Sequence, residues 1–161
     1  MKSILYAGVS AAMMLATSQA MAAGISDDVV KIGVLGDMSG VYSTGFSGDG
    51  AVAAVKMAVQ DFGGTVLGKK IEVISGDHQN KADIASATAR KWIDEDHVDM
   101  ITDLTNSAVA LAVQQVASEK HTITIATGAA TSDLTGKACT KYGIHYGYDT
   151  HALPVGTATA I

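Results

Sequence analysis

The stretch HTITIATGAATSDLT, residues 121–135, changes character after its sixth residue. The part from His121 to Ala126 is rich in β-branched side chains, which is typical of a buried strand. From Thr127 onward, most side chains are hydrogen, methyl or hydroxyl groups. Exposed backbone N–H groups and hydroxyl donors at a strand end suit a small anion such as a carboxylate. Ordinary turns share this composition, so this stretch alone leaves both interpretations open.

The rest of the chain alternates between the two periodicities of secondary structure. Strand patterns cover Val29–Leu35, Lys70–Ser75, Val98–Leu104, residues 121–126 and Tyr142–Tyr146. Helix patterns cover Ser47–Phe62, a segment from a cap at Asn80 to near Asp96, and a segment capped by Asn106 or Ser107. A further helix is predicted to begin near Thr150–Pro154, because proline is favoured in a first helical turn.

This order of elements predicts an α/β fold, a doubly wound parallel sheet with helices on both faces. With strand order 2-1-3-4-5, a ligand crevice lies at the carboxyl ends of the first and third strands. Three loops are then expected to meet there, namely Asp37–Ser43, Thr105–Ser107 and Thr127–Thr131. The loop Asp77–Asn80 is expected at the far edge. A helix begins in the second of the three loops, and its free N–H groups favour an anion.

Residues 1–22 have the features of a secretory signal peptide. Lys2 is the only charged residue, Ile4–Ala16 is apolar but too short to span a bilayer, and Ala20-Met21-Ala22 matches a cleavage site. Residues 23–161 are then one exported domain with no stable membrane insertion. A membrane anchor is the alternative interpretation of the same residues.

Composition and motifs argue against several other classes of function. The chain has 48% hydrophobic and 17% charged residues with a net charge of −5, which predicts a globular fold and argues against nucleic acid as a partner. Cys139 is the sole cysteine. The segment Gly63–Lys70 resembles a phosphate-binding loop but precedes a strand and has no Ser or Thr after Lys69. The histidines lack metal-ligand spacing. We therefore predict no enzyme, no metal and no cofactor.

Several motifs occur here in the order found in one family of proteins. They are Val30–Val34 followed by Ser39-Gly40, Leu67–Val73, Asp77–Asn80, Asn106–Val109 and Ala129–Thr135. In this ordered set the chain resembles the N-terminal lobe of a periplasmic solute-binding protein, of the leucine/isoleucine/valine type that serves ATP-driven importers.

The resemblance implies a periplasmic two-lobed clamp that delivers a small solute to a membrane permease. It implies that this chain is an N-terminal fragment, with most of the second lobe and its partner for a ligand's ammonium group absent. The implied ligand site comprises Ser39, Tyr42, Asn106, Ser107, Gly128, Ala129, Ala130, Thr131 and Tyr148.

Branched-chain amino acids are the expected solutes, while amides, urea and aromatic acids remain alternatives. A ligand-sensing receptor of the same fold is a second possibility for function, and an exported enzyme whose catalytic groups lie in the other lobe is a third.

Overall fold

The computed structural model describes residues 27–45 and 47–161. The signal peptide predicted over residues 1–22 lies outside these residues.

Strands and helices alternate along the described chain, as the two periodicities predict. The strands are Val29–Gly36 (β1), Thr65–Val66 (β2), Lys69–Asp77 (β3), Met100–Asp103 (β4), Ile123–Ala126 (β5) and Gly143–His145 (β6). The helices are Asp49–Asp61 (α1), Ala82–Asp94 (α2), Ser107–Glu119 (α3) and Ala152–Thr159 (α4), with a 3-10 turn at Ser132–Leu134. The alternation is confirmed, and most boundaries lie within two residues of those predicted.

The sheet has the order β2-β3-β1-β4-β5-β6. From β3 to β6 the neighbouring strands are parallel, so the α/β class and the predicted order of the five parallel strands are confirmed. Only β2 is antiparallel. It forms a hairpin with β3 through Leu67 and Gly68, whose positive φ angles of 51° and 76° suit a two-residue hairpin turn. This edge strand was missed, because a two-residue strand is too short to show a periodicity.

Helices α2 and α3 cover one face of the sheet and form the core with it. Ala85, Ala89 and Trp92 of α2 are buried, as are Val113 and Val116 of α3. Aliphatic side chains of β1 and β4 complete the same cluster. The packing of these two helices fixes where the carboxyl ends of the strands lie.

The other face of the sheet is covered only in part by α1. The sequence pattern predicts a helix here with an apolar stripe, and the helix is confirmed, but its stripe is mostly not buried. Val52 is the buried residue of α1, while Phe62 at the end of the stripe is 66% exposed. A groove of about 380 Å³ separates α1 from the strands, between Val55 and Val59 on the helix and Ile32 and Met100 on the sheet.

Two predictions about the connecting loops are wrong. Asn80 does not cap α2, because the N-cap residue is Lys81, whose side chain makes no capping hydrogen bond. The loop Asp77–Asn80 also does not stand apart at the far edge of the sheet. Its side chains bond to the loops that follow β1 and β4, as described below.

None of the helices in the described part of the chain combines the length and the hydropathy that crossing a bilayer requires.

Candidate ligand-binding site

Four loops meet at the carboxyl edge of the sheet. We refer to them as the β1 loop (residues 37–43), the β3 loop (residues 77–80), the β4 loop (residues 105–107) and the β5 loop (residues 127–131). Because β1 and β4 are neighbours and the chain reverses direction across the sheet there, this edge holds the switch point at which open α/β sheets bind ligands.

The β4 loop leads into α3 through a side-chain cap. The Asn106 side-chain oxygen accepts hydrogen bonds from the N–H groups of Ala108 and Val109, at 2.7 and 3.2 Å. The sequence leaves Asn106 and Ser107 as candidates for the cap of this helix, and the structure shows that Asn106 is the cap. Its side-chain nitrogen donates to Asn80 Oδ1 at 2.7 Å. Both ends of the Asn106 amide are engaged by other residues of the chain, so this side chain fixes the junction between the β3 loop and α3.

The next residue, Ser107, ties α3 to the β5 loop. Its hydroxyl oxygen accepts hydrogen bonds from the N–H groups of Ala130 and Thr131, at 3.3 and 3.2 Å. Since the oxygen acts as the acceptor in both bonds, the O–H proton of Ser107 remains to be donated to a third group. A hydroxyl donor in the first turn of a 13-residue helix is well placed to bind an anion.

The β5 loop is also held from the side of β6. Nε2 of His145 lies 2.6 Å from the Ala129 carbonyl oxygen, and since a carbonyl only accepts, this nitrogen carries the proton. The Thr150 N–H donates to the Ala130 carbonyl at 2.7 Å. The loop is thus fixed from both sides before any ligand arrives.

Thr131, another residue of the implied ligand site, has its N–H and its hydroxyl oxygen engaged within the chain. Its N–H is donated to Ser107, and its hydroxyl oxygen accepts the N–H of Asp133 at 3.2 Å, capping the 3-10 turn. The sequence could not show this, since Ser107 lies 24 residues away. The O–H proton of Thr131 is the polar hydrogen that remains for a ligand.

The β5 loop lies very close to the β4 loop at Gly128. A Cβ atom at Gly128 would lie 3.2 Å from the Cα atom of Thr105, so the absence of a side chain permits this approach. Tyr148 lies beyond β6 and is 44% exposed. It follows Gly147, where a Cβ atom would lie 3.3 Å from the Thr127 carbonyl oxygen of the β5 loop.

Carboxylates shape the β1 loop. The Asp37 side chain accepts the N–H groups of Gly40 and Tyr42, at 2.7 and 3.0 Å. The Ser39 hydroxyl donates its proton to Asp77 at 2.6 Å, so this hydroxyl is engaged within the chain. The half-buried side chain of Tyr42 is the other predicted group on this loop.

Asp77 joins the β3 loop to the β1 loop as an ionised group. Its oxygens accept the Ser39 hydroxyl and the N–H groups of Met38 and Gln79. Partial burial alone would raise the pKa of the Asp77 carboxyl, but these three hydrogen bonds together lower it. The junction is therefore charged at neutral pH.

A buried polar cluster that the sequence analysis missed lies beneath the loops. Ser47 Oγ accepts the N–H of Asp37 at 2.8 Å and donates to Asp103 at 2.7 Å, while the Thr105 hydroxyl donates to the other oxygen of Asp103 at 2.8 Å. Burial raises the pKa of Asp103, against these two hydroxyl bonds and the charge of His78, which lower it. The available signal was an aspartate at or just after the end of each of three adjacent strands.

Gly36→Ala should disturb this cluster, since a Cβ atom there would lie 2.4 Å from Asp103 Oδ2 and 2.7 Å from Ser47 Oγ. We expect chemical denaturation to show a loss of about 1–3 kcal/mol in the free energy of unfolding. Gly50→Ala in α1 is the matched control, because its Cβ would meet nothing within 4 Å, and alanine there should gain about 0.5–1 kcal/mol. Equal effects of the two substitutions would contradict the close approach at Gly36.

Among the described residues, no group of three or more His, Cys, Asp or Glu side chains is arranged to hold a metal ion. What the arrangement offers is a set of neutral donors at the start of α3 and on the β5 loop, over a network of buried carboxylates.

A sequence profile of the periplasmic binding protein family matches residues 29–161. The chain belongs to this family. The resemblance found in the sequence is thereby confirmed, and the single doubly wound sheet corresponds to one lobe.

Solved structures of periplasmic binding proteins share this fold. One from Burkholderia mallei is 53% identical with a TM-score of 0.80, over 83% of this chain and 35% of its own. A branched-chain amino acid ABC transporter periplasmic ligand-binding protein from Burkholderia xenovorans is 38% identical with a TM-score of 0.75. The match covers 81% of this chain and 36% of that protein. A solute-binding protein of an ABC transporter from Rhodopseudomonas palustris, in complex with 3,4-dihydroxybenzoic acid, is 29% identical with a TM-score of 0.64. The match covers 73% of this chain and 31% of that protein. This chain therefore spans about a third of the length of each. No curated protein matches the chain significantly.

Proposed function

We propose that this chain is the first lobe of a two-lobed solute receptor, which binds a small organic carboxylate in the periplasm and delivers it to the permease of an ABC importer. The observation that carries the proposal is the hydroxyl of Ser107. It sits in the first turn of α3, accepts two N–H groups of the β5 loop, and keeps its own proton for a ligand oxygen. Transport is supported by the names of the relatives from B. xenovorans and R. palustris.

A carboxylate is the part of the ligand that this lobe is built to hold. The R. palustris relative was solved with an aromatic acid, and the B. xenovorans relative is named for branched-chain amino acids. These two solute classes differ in size and charge but share a carboxylate. The O–H protons of Ser107 and Thr131 supply two neutral donors for it. Binding of amides or urea is the alternative, because neutral donors also suit a carbonyl oxygen.

The ammonium group of an amino acid would need a partner from the second lobe. Asp37, Asp77 and Asp103 lie at this edge of the sheet, and each already accepts hydrogen bonds from the chain. We infer that this lobe holds the carboxylate and that the second lobe selects the remainder of the solute. In this proposal the protein binds without catalysis.

Ser107→Ala should weaken binding by about tenfold to a hundredfold, the effect of losing one hydrogen bond to a charged group. The assay is a thermal-shift and calorimetric screen of the two-lobed protein with isoleucine, leucine, valine, 4-hydroxybenzoate, 3,4-dihydroxybenzoate, acetamide and urea. A ligand at 100 times its Kd should stabilise the protein by about 2.7 kcal/mol.

Ser86→Ala is the matched control for this substitution. Its hydroxyl donates to the Asp83 carbonyl within α2, outside the four loops of the candidate site. We expect it to leave the affinity unchanged. A carboxylate that binds equally well to the wild type and to Ser107→Ala would contradict the proposed role of α3, and a screen in which nothing binds would contradict the small-carboxylate receptor itself.

A further inference from the structure

His78 is a buried histidine that the binding site itself does not use. It follows the last residue of β3 and is 0% exposed. Its Nδ1 accepts the N–H of Asn80 at 3.0 Å, so Nδ1 has no proton and the neutral ring carries its proton on Nε2. That second nitrogen has no hydrogen-bond partner within the described part of the chain. An unpartnered ring nitrogen at full burial is costly, which calls for a role beyond packing.

A chain of hydrogen bonds runs from His78 to the candidate ligand site. His78 holds the backbone of Asn80, Asn80 Oδ1 accepts the side-chain amide of Asn106 at 2.7 Å, and Asn106 caps α3 through the N–H groups of Ala108 and Val109. The orientation of the Asn106 amide follows from these partners, since its oxygen must face the two backbone donors. The next residue along is Ser107. We call this chain of bonds the His78–Asn106 relay.

The relay depends on the charge of the imidazole. A protonated ring carries a hydrogen on Nδ1 as well, which would face the N–H of Asn80 and break the bond between them. Burial lowers the pKa of His78, against the charges of Asp37, Asp103 and Asp77, which raise it. These carboxylates, from the ends of β1, β4 and β3, are the charged groups that act on the ring. With a lowered pKa, His78 becomes protonated only below the usual value of about 6.5.

We propose that His78 and Asn80 are positioning residues of the ligand site, which hold the first turn of α3 in its binding geometry only while the imidazole is neutral. The inference rests on the proposed function in assigning a ligand to Ser107, but the relay itself exists in the protein without one. Acidification then loosens the cap of α3 and weakens ligand binding together. The positive φ angles of Gln79 and Asn80, 52° and 56°, show that the turn between His78 and Asn80 is held in a conformation that few side chains favour.

The test measures the protection of the Ala108 and Val109 amides against hydrogen exchange in the two-lobed protein, at about pH 7.5 and about pH 5. In the wild type we expect protection, corrected for intrinsic exchange, to fall by about threefold to tenfold at the lower pH, the effect of one lost hydrogen bond. In His78→Asn, whose side-chain oxygen can replace Nδ1 as an acceptor but does not titrate, protection should not change with pH.

A second pair of variants keeps the test decisive if the buried substitution fails to fold. Asn80→Gly retains the backbone N–H and suits φ 56°, but removes the acceptor for Asn106, so protection should be low at both pH values. Gln79→Gly is the matched control, because it eases the neighbouring φ of 52° and removes an exposed side chain. It should follow the wild type.

Protection that does not depend on pH in the wild type, or Asn80→Gly that behaves as Gln79→Gly does, would overturn the proposal. Because amide exchange needs no ligand, these results are separate from those of the solute screen. If 3,4-dihydroxybenzoate binds, its Kd should rise by the same factor at low pH in the wild type and stay constant in His78→Asn. If no solute binds while protection changes as expected, the proposed function fails and the relay stands.

Discussion

Trp92→Ala is expected to lower the free energy of unfolding by about 3–5 kcal/mol, the usual cost of removing a large aromatic side chain from a core. Trp92 is 6% exposed and lies between α2 and the sheet. Its ring occupies the space above two glycines, since a Cβ atom at Gly33 of β1 or at Gly76 of β3 would lie 2.6 or 2.8 Å from it. Because neither glycine has a side chain, neither can fill the cavity that alanine at position 92 would leave. Because a domain has only about 5–15 kcal/mol of stability in total, this loss is a large fraction of it.

Phe62→Ala is the matched control for Trp92. Both residues are aromatic, and both lie on an apolar helical stripe in the sequence, but Phe62 is 66% exposed. Its replacement should change the free energy of unfolding by no more than about 0.5 kcal/mol. Denaturant titrations of the two variants, read by circular dichroism, give the comparison. A loss below about 1 kcal/mol for Trp92→Ala, or a similar loss for both, would show that the ring does not support the sheet.

The contrast between these aromatic residues shows how far periodicity predicts a fold. The spacing of apolar residues indicates which face of a helix is apolar, and this was sufficient to predict α1, α2 and α3 and their alternation with the strands. It does not indicate whether another layer lies opposite that face. Trp92 meets the glycines of two strands, whereas the stripe of α1 that ends at Phe62 faces an open groove.

In the candidate site, contacts between residues close in the sequence could be predicted, and contacts between distant residues could not. The cap at Asn106 is predictable because its partners lie two and three residues along the chain. The sequence around Asn80 suggests a helix cap just as that around Asn106 does. The Asn80 side chain instead accepts a hydrogen bond from Asn106, 26 residues away. Ser39 likewise donates to Asp77 across 38 residues. These partners meet only because β1, β3 and β4 are adjacent in the sheet, so Asn80 and Ser39 support the loops through contacts that no local pattern indicates.

We expect the chain of residues 23–161 alone to bind its solute about a thousandfold more weakly than the two-lobed protein does. Hydrogen bonds to a charged group contribute about 1.5–3 kcal/mol each, and this lobe offers few free donors, chiefly the hydroxyls of Ser107 and Thr131. The cost of association is at least about 4 kcal/mol, so the sum corresponds to millimolar affinity or weaker. Closure of a second lobe would exclude water and add contacts to the rest of the solute.

Calorimetry with the same solute, on the single lobe and on the two-lobed protein, measures this difference. The single lobe must first show the amide dispersion and the cooperative unfolding of a folded domain, because the groove beside α1 and the exposed helix α4 leave apolar surface that the rest of the protein can cover. Equal affinities would mean that this lobe holds the whole binding site, and the clamp would be wrong. A folded lobe with weak binding that Ser107→Ala abolishes would place carboxylate recognition here and leave the choice of solute to the second lobe.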